Sequence, residues 1–184
     1  MSGWPAGRHL AAIYDALYSS LGEGAPRATS DAVVVRLHEA SRAFGELALE
    51  LRDGGVLLES QGTGDVVPHE VVPHEVVPDD VVASLITRSL VEDPTGVLAL
   101  YALSMLLGPR LLVSLRDYLA EEDDEWRRTV MQHGSDLVVR EIRAAGLALE
   151  GEPSPEGPAW SLAARGLADI LDEAGMAESL GRRP

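Results

Sequence analysis

The stretch PTGVLALYALSMLLG, residues 94–108, constrains this chain more than any other part of it. Its apolar run of about fourteen residues before Arg110 must be kept from water, yet falls short of the roughly 20 that cross a bilayer as a helix. A helix sheathed by other helices meets both conditions, so a buried core helix is expected and a membrane span is not. Asp93 and Pro94 mark its start, because Asp accepts the free N–H groups of a first turn and Pro fits the first helical position. Gly108-Pro109 is expected to break or kink it, since Pro lacks an N–H and clashes with the preceding turn, and RLLVSLRDYLAEE then continues at a new angle.

The flanking segments have the spacing such a sheath needs. Leu10, Ile13, Tyr14, Leu17 and Leu21 recur at steps of three and four, and GEGAPR ends that helix. Ser30 or Asp31 caps a second helix whose Val33, Leu37, Ala40, Phe44, Leu47 and Leu51 form one stripe, with Arg36, Glu39, Arg42, Glu46 and Glu50 mostly elsewhere and Gly54-Gly55 as its expected end. In EEDDEWRRTVMQHGSDLVVREIRAAG the acids at 121–125 suit the positive end of a helix dipole, Arg140 and Arg143 the negative end, and Gly146 the close. GEPSPEGP, within 147–158, reads as a loop before a last helix carrying Leu162, Leu167, Ile170, Leu171 and Ala174. The expected fold class is therefore all-α: one domain over residues 1–184, a bundle of five to seven helices around 94–108, with a candidate short β-hairpin near 56–77.

One segment resists this pattern. VVPHEVVPHEVVPDDVV, residues 66–82, repeats every five residues, which matches neither the 3.6-residue helical period nor the two-residue strand period. Pro68, Pro73 and Pro78 favour an extended chain, so 61–79 reads as a surface strap: a neutral tandem duplication, or a strap that contacts a partner. His69 and His74 are metal candidates only in that extended form, because helical zinc ligation needs two His four apart and these are five apart.

Charge and missing residue types narrow function. A net charge of -15 leaves no basic face to neutralise phosphates and repels anionic lipid, so neither nucleic acid nor membrane is an expected partner. Cys, Lys and Asn are absent, which removes disulfides, thiolate catalysis, Schiff bases and the phosphate-loop Lys. The bias toward Ala, Gly, Val, Leu and Arg suggests a GC-rich bacterial gene, and MSGWPAGRHL lacks an apolar leader, so a cytoplasmic protein is expected. No cofactor is expected.

In QHGSDL, His133, Ser135 and Asp136 point in divergent directions from one helix and cannot form a triad. Helical spacing instead lines up Trp126, Val130, His133, Leu137 and Arg140, which would set His133 at the lip of an apolar pocket with Arg140 in reach of an anion and Tyr101 lining the core. The leading expectation is a non-catalytic interaction or regulatory protein, a homodimer that pairs through an apolar helix face such as Val33 to Leu51. The alternatives are a small enzyme or binder of an apolar metabolite, with His133 as base or donor and Trp126, Tyr101 and Arg140 about the ligand, and an acidic decoy of a DNA-binding protein.

Overall fold

The computed structural model describes residues 5–28, 30–61, 96–150 and 152. That part is 91% helical, with four helices and no strand among the described residues, so the all-α class holds. The repeat at 66–82 and the expected last helix lie outside it, as do Asp93 and Pro94.

Helix α1, Pro5–Gly24, buries Leu10, Ile13, Tyr14, Leu17 and Leu21. It ends where expected, and Ala25–Arg27 add a single tighter turn started by Pro26. Helix α2 is Asp31–Gln61, and its Val33, Leu37, Ala40, Phe44, Leu47 and Leu51 are all buried. The two helices pack along their lengths as an antiparallel pair. The Ser41 hydroxyl donates to the Tyr18 carbonyl at 2.6 Å, the Tyr14 and Phe44 rings stack at 5.8 Å, and Arg52 pairs with Asp15.

Two expectations fail on α2. Gly54-Gly55 do not end it, so VLLES is helical and no hairpin begins there. A glycine in a helix costs only about 1 kcal/mol relative to Ala, which neighbouring turns can offset. The stripe expected to pair two copies is also consumed within the chain, against α1 and the start of the next helix.

Helix α3, Val97–Glu121, starts three residues later than the Asp93-Pro94 signal implied. Gly96 precedes it with φ of 72°, a left-handed conformation that a side chain disfavours, and a Cβ there would also meet Leu37 and Ala28. By length and composition α3 is long and apolar enough to cross a membrane, and 61% of its most apolar window is buried inside the protein. Gly108-Pro109 do not break it. Residues Ala102–Leu107 widen into a π-helical turn, and the Gly108 N–H donates five residues back to the Leu103 carbonyl. The wider turn moves the chain off the four-residue ladder in which Pro109 would lack a donor and strike the carbonyl before it, so the helix passes through.

Helix α4, Glu125–Ala148, begins at Asp124, whose carboxylate accepts the Arg127 N–H at 2.9 Å, with Glu125 in the first turn. Arg128 donates back to the Leu119 and Glu122 carbonyls at 3.0 and 2.9 Å, closing the α3–α4 turn. At the other end the expectation needs correction: the helix runs through Gly146, and Arg140 and Arg143 lie too early to meet its last carbonyls. α3 and α4 are antiparallel, with Gly108 against Ile142 and Leu115 near Gly134.

One substitution should act oppositely at two glycines of this pair. A Cβ on Gly108 would collide with Ile142 and with the Leu103 carbonyl, so Gly108→Ala should cost about 1–3 kcal/mol as overpacking. Gly146 has nothing within 4 Å of that position, and Gly146→Ala should stabilise by about 0.5–1 kcal/mol through helix propensity. Urea unfolding of both variants reads the two signs.

Candidate functional site

The buried face of α4 is Val130, Met131, Gly134, Leu137, Val138, Glu141 and Ala145. That stripe is rotated from the one through Trp126, His133 and Arg140, and the rotation decides where the expected site residues stand. His133 lies on the flank, not over an apolar pocket. Its Nδ1 is 2.9 Å from Glu50 Oε2 of α2, with the two side chains 58% and 40% exposed. Arg140 is exposed and its Nε donates to Glu141 at 3.1 Å. Trp126 is exposed near the start of α4, and Tyr101 is half-buried near the start of α3.

These four residues do not converge. Because the helices are antiparallel and Gly134 sits at the level of Leu115, Tyr101 and His133 are separated by about 21 Å of α3 at 1.5 Å per residue. His133 faces instead a groove, open to solvent, at the α3–α4 turn. Leu119, Asp123, Glu125, Arg128, Gln132 and Asp136 line it as well, so charged and polar groups share it with apolar surface. It lacks the enclosure with which small-molecule sites desolvate a ligand. A surface pair of this exposure contributes at most about 1 kcal/mol, and it ties α2 to α4 more than it prepares a base. Among the described residues no group of three His, Asp or Glu side chains is placed to hold a metal ion, while His69 and His74 lie outside them.

The polar chemistry inside the protein lies elsewhere. Glu141 is 1% exposed, and the Arg36 guanidinium of α2 reaches across to its carboxylate. Arg36 also meets Glu39 at 3.1 Å, and its Nε is buried without a partner. Sequence reasoning placed Arg36 away from the α2 core face and passed over Glu141. One signal was present: Glu141 follows Leu137 and Val138 by four and three residues and precedes Ala145 by four, so an acid stands in a helical apolar stripe.

A further interior polar group is the Tyr14 hydroxyl, buried with no hydrogen-bond partner among the described residues. It lies against α4 where Gly134 has no side chain, 2.8 Å from where a Cβ would stand. Gly134 thus allows α1 and α4 to approach closely here. Burial pushes this phenol well above its usual range, because the phenolate would lose its hydration. Tyr118, half-buried and edge-on to His9 at 6.5 Å, is raised too, first by burial and then by the nearby Glu121 carboxylate.

Two measurements test these assignments. Glu141→Ala and Arg36→Ala should each destabilise, by up to about 3–5 kcal/mol, since each breaks a buried ion pair and leaves only Glu39 beside Arg36 or Arg140 beside Glu141, whereas Arg36→Met with Glu141→Leu should recover most of that loss. Tyr14 governs stability at alkaline pH, and the sign follows from its raised folded pKa. Below pH 10 the phenol is protonated folded or unfolded; above it only the unfolded chain ionises, so stability should fall by up to about 1.4 kcal/mol per pH unit. Tyr14→Phe should lose that part of the slope, keeping the shallower share from Tyr118, and should be at least as stable as the parent at neutral pH. Denaturant midpoints between pH 8 and pH 11 would check both (about two units below and one above the ordinary phenol value). No protein-family model matches this chain, and no curated protein and no solved structure matches it.

Proposed function

We propose that this chain is a non-catalytic interaction or regulatory protein of the cytoplasm, acting as a homodimer, and that its whole length forms one helical bundle of five to seven helices around α3. The observation that carries this reading is on the outside of the α1–α2 pair. The Tyr18 ring lies across Gly45, packed so closely that a Cβ there would fall 2.8 Å from it. Leu49 is one turn further along α2, so two large apolar side chains, 51% and 55% exposed, share a surface. Val35, 54% exposed, is fourteen residues before Leu49, close to four full turns, and so on the same outer side.

This outer strip takes the role first expected of the inner stripe from Val33 to Leu51, which the chain buries for itself. Contact through it needs no cofactor and no cavity. The enzyme or metabolite-binding alternative draws no comparable support, because His133, Arg140, Trp126 and Tyr101 are dispersed. Two copies of net charge -15 repel, so association should tighten as salt screens them, with a Debye length falling from about 30 Å at 0.01 M to about 8 Å at 0.15 M.

Light scattering at low and physiological salt tests the reading. The parent chain should show the mass of two chains, more completely at the higher salt, and Tyr18→Glu with Leu49→Glu should show the mass of one at an unchanged melting temperature. A parent that stays monomeric at high concentration and purifies without a partner would overturn the proposal.

A further inference from the structure

We draw no further inference here: the strongest candidate, the open groove at the α3–α4 turn lined by Asp123, Glu125, Arg128, His133 and Asp136, is an acidic cluster with no second feature that points to a ligand.

Discussion

A carboxylate taken out of water must be met by a cation, and Glu141 is the place where this chain meets that demand. Removing an ion from water costs several kcal/mol even after relaxation, and Glu141 is met at one oxygen by Arg140 of its own helix and at the other by Arg36 arriving from α2. The pair therefore specifies a register as well as a contact. Sliding α2 by one turn along α4 would carry the guanidinium about 5.4 Å away and break the one ion pair that crosses between the two helices in the interior. The exposed Glu50–His133 contact agrees with that register from further along α2, at far smaller energy. α1 is set in turn by α2 through the Ser41–Tyr18 bond and by α4 through the fit of Tyr14 against Gly134.

α3 answers a different constraint. A helix with this apolar content must be covered, and its closest neighbour approaches at Gly108, immediately before a proline. An ordinary α-helical turn would place the Pro109 ring against a carbonyl one turn back. Widening Ala102–Leu107 into a π turn relieves that clash while the helix continues, and the absent side chain at Gly108 lets Ile142 fill the space. The Gly-Pro pair, which reads as a stop in isolation, is part of how α3 and α4 lie close together.

The limits of reading this chain follow from the same cases. The core stripes of α1 and α2 were legible because each places aliphatic or aromatic residues at three- and four-residue steps with charges between. α4 was read about one residue out of phase. Val130 and Leu137 belong to both stripes, so the choice turned on whether His133 and Arg140 or Gly134 and Glu141 faced inward. Hydropathy alone puts a glutamate outside; Arg36, 105 residues away in sequence, is the partner that meets it from across the interior. Glycines posed the same difficulty. Gly54 and Gly55 read as a stop yet lie inside α2, and Gly108 and Gly134 are contacts with Ile142 and Tyr14, side chains far away in sequence that no local pattern reveals. The scattering of Trp126, Tyr101, His133 and Arg140 was hidden for that reason too, since their grouping required helix levels that periodicity does not contain.

Charge also determines what kind of contact such a surface can make. Acids here serve local ends: Asp124 caps α4, Glu122 accepts the Asp124 N–H, and Glu46 pairs with Arg42 four residues earlier. The surplus that makes the net charge -15 opposes any like copy, so self-contact must draw on apolar area. At about 25 cal/mol per Å² of apolar surface removed from water, an exposed strip of Tyr18, Leu49 and Val35 offers a gain that charge does not. The same residues gain nothing further inside the monomer, because the opposite side of α2 already fills the core. Tyr18 over Gly45 and Leu49 one turn on leave apolar area exposed beside the charged Arg42–Glu46 pair of the same outer face, and that area, which the core does not use, is the physical ground for reading this protein as one that works by contact.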